Sequence, residues 1–347
     1  MGGKNSRRNT DVATACVVAE MAGRPRAKQA IVTAQEIMAP AIIATERWRL
    51  GTLFPQLSDT PACLQWVARR RLIHNDVQCP QCGQPASLVA RANRLDGVQW
   101  QCSRCRFSQS VRHGSFFERS HLAISKILLM MYCWCCDMPQ HLICREADMP
   151  LGHTVVDWSN FFRDEAENYV ERQSREIGGM DLNGEAITVE IDESKFFHRK
   201  YHRGQWRQGH WVFGGIERES GKCFLVEVAD RTANTLEAKI REHILPGTHI
   251  ISDGWAAYAN IPQIGGGIYT HEYVVHQRNF VDPQDDNIHT QNVENLWWRA
   301  KRKIRRQQGT SRELFTSYLH EFIFRNSLRD KDIFVEMINC IGESYPM

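Results

Sequence analysis

Three acidic side chains carry the chemical interest of this 347-residue chain: Asp192, Asp253 and Glu294. Asp192 closes Ala186-Ile-Thr-Val-Glu-Ile-Asp192, in which Ile187, Val189 and Ile191 alternate with Thr188, Glu190 and Asp192. The alternation predicts a strand with one apolar and one polar face, ending at Asp192. A carboxylate at the end of a sheet-core strand is costly unless something pairs with it. Asp253 follows the apolar run His249-Ile-Ile-Ser252, and Glu294 lies near the start of a predicted helix, His289-Thr-Gln-Asn-Val-Glu-Asn-Leu-Trp-Trp298. Carboxylates from two strand ends and a helix can hold Mg²⁺ (or Mn²⁺) for phosphodiester chemistry. Taken one at a time, each acid reads better as a solvated or capping carboxylate. Glu190, on the strand face of Asp192, is the nearest competing ligand, with Glu193 behind it. His276 and His289 could contact phosphate or steady the metal site; a structural role fits a lone histidine equally.

A second group of ligand types stands upstream. Cys79-Pro-Gln-Cys82 and Cys102-Ser-Arg-Cys105 are two Cys-x-x-Cys knuckles with nineteen residues between Cys82 and Cys102. That spacing fits a four-cysteine zinc ribbon, in which the metal is structural because the motif fills all four positions. Gly83 and Trp100-Gln101 suit the turn and the strand beside the knuckles. The alternative is a pair of redox dithiols. Cys133-x-Cys-Cys136 and Cys144 invite a second metal site, but read better as buried small apolar residues.

Positive charge gathers in two blocks near the acids. Between Ser194 and Ile216 there is no acid, and Lys195, Arg199, Lys200, Arg203 and Arg207 are interleaved with Phe197, Tyr201 and Trp206. Such a segment can grip a phosphate backbone and stack on exposed bases. The second block, Arg299-Ala-Lys-Arg-Lys-Ile-Arg-Arg306, has six basic residues in eight, with Arg299, Lys301, Arg302 and Arg305 as candidate DNA contacts. The plain alternative for both is a solvated basic face.

Elements must position these groups. A short amphipathic helix is predicted over 60–74. Helices follow over 122–134 and 140–147 and from about Thr154, in a helix-turn-helix outline. Asp157, Asp164, Glu165, Glu167 and Glu171 on the last of them suit a groove-reading helix poorly, so a dimerising or purely structural role stays open. Beyond Gly178-Gly179, strands are predicted over 186–192, 211–216, 222–228, 249–252 and 269–275. Helices are predicted over 235–244 and 312–326, the latter with Phe315, Tyr318, Leu319 and Phe322 inward. Three antiparallel strands, then helix, strand, helix, strand, helix, is the ribonuclease H-like α/β order. In that fold the first strand lies beside the fourth, so Asp192 and Asp253 would meet.

Four blocks now stand in order: Ile191-Asp-Glu-Ser194, Ile251-Ser-Asp-Gly-Trp255, Val275-His-Gln-Arg-Asn-Phe-Val281 and His289-Thr-Gln-Asn-Val-Glu-Asn-Leu-Trp297. Together they resemble the Merlin family of DNA transposases, relatives of bacterial insertion sequences with the same type of catalytic domain. The resemblance runs from the zinc ribbon to about Asp330. It implies that the family's catalytic Asp, Asp and Glu fall on Asp192, Asp253 and Glu294. It also implies double-stranded DNA as partner, both transposon terminal inverted repeats and target, and a homodimer or larger assembly holding two ends. Two Mg²⁺ ions about 4 Å apart would activate a water or 3′-hydroxyl and stabilise the leaving oxygen. Rival readings are a domesticated, non-catalytic DNA-binding protein and a metal-dependent nuclease without strand transfer.

Composition sets the outer bounds. Apolar content of 42%, charge of 24% and a net charge of +3 are ordinary for a globular protein. The longest apolar run, Ile127 to Cys136, is far short of a bilayer span, and no nucleotide-binding Walker loop or Gly-x-Ser-x-Gly elbow occurs. Without a signal-peptide pattern, the twelve cysteines are expected as metal ligands and buried thiols of a reducing compartment. The resemblance implies the nucleus in a eukaryotic host; otherwise the cytoplasm is expected. The expected domains are an arm over 1–58, including the basic patch Gly23-Arg-Pro-Arg-Ala-Lys28; a zinc ribbon with its preceding helix over 59–115; a helical part over 116–177; the ribonuclease H-like domain over 178–330; and a tail over 331–347.

Overall fold

The computed structural model describes residues 28–197, 209–274, 287–307 and 311–347. Arg199, Lys200, Tyr201, Arg203, Trp206 and Arg207 lie outside these residues, as do the whole third motif block with His276 and the first 27 residues.

The amino-terminal part is built around the cysteines. Helix α1 (Thr60–Arg69) starts where Asp59 accepts the Ala62 N–H at 2.7 Å, a side-chain N-cap. Strands β1 (Ser87–Ala90), β2 (Val98–Gln101) and β3 (Ser108–Ser110) form an antiparallel sheet in that order. Helices α2 (Ile124–Cys135), α3 (Gln140–Glu146) and α4 (His153–Arg172) follow, each near its predicted span. One continuous core joins these modules, through Trp66, Trp100, Ile127 and Phe162 among others.

The carboxy-terminal part is a three-layer α/β sandwich. Its strands are β4 (Thr188–Phe196), β5 (His210–Glu217), β6 (Cys223–Val228), β7 (His249–Asp253) and β8 (Thr270–Val274). Their order across the sheet is β8-β7-β4-β5-β6. β4, β5 and β6 are antiparallel, while β7 and β8 run parallel to β4. The first strand therefore does lie beside the fourth. Helix α5 (Ala233–His243) covers one face, where Val189, Ile191 and Phe213 meet Leu236 and Ile240. Helices α6 (Gln291–Arg305) and α7 (Phe315–Ser327) cover the other, where Val212 and Leu225 meet Val293, Leu296, Phe315 and Leu319. The polar face of β4 is thus a covered face, and its acids must find partners.

Three expectations change. Strand β4 does not stop at Asp192: it stays paired with β5 as far as Phe196, opposite His210. The stretch 331–347 is not a tail. It contains helix α8 (Ile333–Ser344), whose Phe334, Val335, Ile338 and Ile341 are buried in the amino-terminal core. Within the expected arm, Ile31, Val32, Ile43, Leu53 and Leu57 enter that same core. Residues 31–57 and α8 both give up apolar surface to it, which draws them inward.

Candidate active site

The β4–β7 register brings the two aspartates together. Thr188, Val189 and Glu190 pair with His249, Ile250 and Ile251; two further steps along each strand reach Asp192 and Asp253. The environment of Asp192 reflects the meeting. Burial, then the carboxylates of Glu193 and Asp253, push its carboxyl up to about 8. The Glu193 N–H (2.7 Å) and the Trp297 indole N–H (3.0 Å) hold its two oxygens. Asp253 accepts the N–H of Trp255 at 3.0 Å.

Gly214 stands opposite Asp192 on β5. A Cβ there would come within 2.8 Å of the Trp297 ring. The bare backbone therefore lets the indole approach β4 and reach Asp192. Trp297 escaped the sequence reading. The available signal was its place four residues after Val293, on the side of α6 that packs against the sheet.

Glu190 is where the sequence reading needs its main correction. It is not a spare metal ligand. It is fully buried and accepts from the Asn292 N–H (2.8 Å), the Val293 N–H (3.0 Å), the Asn292 side chain (2.7 Å) and Arg218 (2.7 Å). His289 Nδ1 lies 3.3 Å away. Helix α6 has no N-cap side-chain hydrogen bond of its own, so the strand supplies the acceptor for its orphan N–H groups. Arg218 also donates to the carbonyls of Asn287 (2.5 Å) and His289 (2.8 Å), tying the approach to α6 to the same point. Glu193 is engaged as well, by Tyr258 (2.5 Å) and Arg231 (3.0 Å).

This clamp sets the position of Glu294. It is exposed, lies one turn into α6, and takes a long 3.4 Å hydrogen bond from Thr290. Trp297, three residues on, lies beside it on the helix surface and touches Asp192. Asp192 and Asp253 share one end of the sheet and Glu294 stands on the helix that Trp297 ties to Asp192, but these acids do not converge as the cysteine sulfurs do. Among the described residues, the four cysteines are the one set of three or more such ligands within 4.8 Å of one another. The all-oxygen donor set suits a hard divalent cation. The crowding that raises Asp192 is what such a cation would relieve.

The basic residues divide. Lys195 lies over the Trp211 ring at 5.3 Å, and Lys301 reaches Ser194 Oγ at 2.5 Å, so both sit along β4 near the acids. Arg302 and Arg305 are exposed. Arg299 is not turned outward as expected: it is half-buried and donates to Asn326 of α7 at 2.7 Å. Position 299 falls between the buried Leu296 and Ala300 stripe and solvent, and the polar Asn326 draws it in.

The four cysteines form a site of their own. Cys82 and Cys102 sulfurs are 3.7 Å apart. Tetrahedral sulfurs at about 2.3 Å from zinc stand roughly 3.8 Å apart, so the spacing fits. The two knuckles match: Cys79 N–H bonds to Gln84 O and Cys102 N–H to Phe107 O, both at 2.8 Å. Gly83 and Arg106, each one residue past the second cysteine, share a left-handed φ of 68° and 59°. Cys133, Cys135 and Cys144 are buried, Cys136 is exposed, and no metal cluster forms there among the described residues.

Comparison with known families falls on this carboxy-terminal part. Residues 181–327 match the ISXO2-like transposase domain. The matched stretch runs through all five strands to the end of α7. It supports a DDE transposase family for the domain that carries the three acids. No curated protein matched the chain. Solved structures similar to it include the catalytic core domain of BIV integrase, at 16% identity over 41% of this chain and 82% of that one, TM-score 0.28. The HTLV-2 integrase catalytic core in complex with magnesium is 12% identical over 41% and 82%, TM-score 0.25. A simian T-cell lymphotropic virus intasome in complex with PP2A regulatory subunit B56 gamma is 12% identical over 56% and 67%, TM-score 0.27.

Proposed function

We propose that this chain is a Merlin-type DNA transposase that binds transposon ends, cleaves phosphodiester bonds and joins the 3′-hydroxyl to target DNA. The observation that carries the reading is the meeting of Asp192 and Asp253 at one end of the sheet, with the helix of Glu294 clamped beside them through Glu190 and Trp297.

Asp192, Asp253 and Glu294 would hold Mg²⁺ or Mn²⁺, which would supply an activated water or 3′-hydroxyl and stabilise the leaving oxygen. The chain's own groups do the positioning. Trp297 and the Glu193 N–H fix the orientation of the Asp192 carboxylate. Glu190 and Arg218 fix the start of α6, and so the reach of Glu294. Lys195, Lys301, Arg302 and Arg305 would hold backbone phosphate, together with Arg199, Lys200, Arg203 and Arg207. These contacts position DNA without reading its sequence.

Cys79, Cys82, Cys102 and Cys105 would hold a structural Zn²⁺. The ribbon and the helix-turn-helix-like α2–α4 would engage transposon ends, in a homodimer or larger assembly that holds two of them. A eukaryotic host would place the protein in the nucleus. The test is strand transfer. A duplex carrying the repeat that flanks the gene, supplied with a free 3′-hydroxyl, should become joined to plasmid DNA in Mg²⁺. Cutting without joining would reduce the protein to a nuclease; neither activity would leave a DNA-binding protein.

A further inference from the structure

A cleft of 800 Å³ opens between the α2–α3 turn and the carboxy-terminal end of α6. Arg163, Lys303, Arg305, Arg306 and Arg325 line it against two acids, Asp137 and Glu321. The two acids differ in kind. Glu321 is 1% exposed and is matched by Lys303 (2.9 Å), Arg325 (2.9 Å) and Arg163 (3.2 Å). It belongs to the core. Asp137 stands at the mouth, on Lys303 and on Arg306 at 2.8 Å.

Local structure disfavours a negative charge at position 137. The turn ends α2 with a doubly bonded cap: Asp137 N–H reaches Trp134 O at 2.9 Å and Met138 N–H reaches Cys133 O at 3.1 Å. Asp137 is the left-handed residue of that cap, φ 57°, where glycine is the usual occupant. Aspartate is one of the few other residue types that visit this region. A negative charge at a helix carboxy terminus is, however, opposed by the helix dipole. What favours the carboxylate is its contact with Lys303 and Arg306.

Two oxygens of one anion on a lysine and an arginine are also how a phosphodiester would be held. Arg305 lines the same cleft, is exposed, and makes no ion pair among the described residues. Arg305 lies eleven residues beyond Glu294 on α6, roughly 16 Å at helical rise. A duplex lying at the acids would meet the cleft after about five base pairs.

We propose that this cleft is a second backbone-phosphate site, and that Asp137 is its internal occupant, displaced when DNA binds. The inference rests on the transposase reading and adds a built-in restraint to it. In the free protein Asp137 holds the helix-turn-helix-like part against α6; in the complex a phosphate takes its place on Lys303 and Arg306.

The experiment measures binding of the full chain to a short duplex of unrelated sequence between about 50 and 200 mM salt. Asp137→Gly restores the usual cap residue, and Asp137→Asn keeps the shape without the charge. Both should bind three- to tenfold more tightly, with a salt slope steeper by about one. Arg306→Ala should bind more weakly, and Asp137→Gly combined with Arg306→Ala should lose the gain. Unchanged or weaker binding by folded Asp137→Gly and Asp137→Asn would overturn the proposal and leave Asp137 as a brace. If the wild type cuts DNA in the same preparation, the transposase reading survives that result; if it neither binds nor cuts, both fail.

Discussion

Glu190 and Asp192 sit two residues apart on the same face of one strand, and their surroundings separate their roles. Glu190 is saturated by donors, whereas Asp192 is crowded by other carboxylates. Alternation in the sequence places both on a polar face and goes no further. Which acid is structural depends on Arg218 and the start of α6, partners distant in the chain. Glu190→Ala should therefore destabilise the protein by about 3–5 kcal/mol, the range for a broken buried ion pair, read as a lower denaturant midpoint. Trp297→Phe keeps an aromatic ring, though a smaller one, and removes the N–H donor. It should cost about 1–2 kcal/mol and slow any cleavage, because Asp192 loses its orienting partner. If Glu190→Ala unfolds at the wild-type midpoint, the clamp is not structural.

At the scale of elements, α7 joins the two halves of the protein through a buried charge. Burial opposes ionisation of Glu321, but Lys303, Arg325 and Arg163 outweigh it and bring its carboxyl from 4.5 to about 2. The folded value lies below the unfolded one. The network thus adds stability that is fully present above about 4.5 and is lost as pH falls toward about 2. Acid unfolding followed by circular dichroism should show that slope, and Glu321→Gln should flatten it while lowering stability at neutral pH. The zinc ribbon has its own test. Elemental analysis of native protein should find zinc, and Cys82→Ser or a strong chelator should unfold residues 76–110 because binding energy there is folding energy. Since Trp100 and Ala86 lie in the core shared with α1 and α8, the loss should spread to that core while the sheet of β4–β8 stays folded. A ribbon that keeps its structure without metal would contradict this.

At the scale of the whole molecule, the sequence showed most where periodicity and local motif agree. The succession of five strands and the paired knuckles both follow from spacing. It showed least where distant segments share one core. Residues 28–58 form only single turns and short pieces, and α8 follows a helix that already looked like an ending, so neither declared itself part of the α1–α4 core. The acids were legible as three residues at element ends; the closeness of Asp192 to Asp253 follows from the β4–β7 register, and the clamp that fixes the start of Glu294's helix through Glu190 was not visible. The central claim is that these three acids act together on a phosphodiester bond. The direct test is Mg²⁺-dependent cleavage of a duplex spanning the repeat that flanks the gene, by wild type and by Asp192→Asn, Asp253→Asn and Glu294→Gln. The account predicts cutting at the repeat boundary by the wild type and a loss of about a hundredfold or more in each variant, at least the contribution of one strong electrostatic catalytic group, with DNA binding nearly unchanged. Cutting at the wild-type rate by any one of the three variants would contradict it.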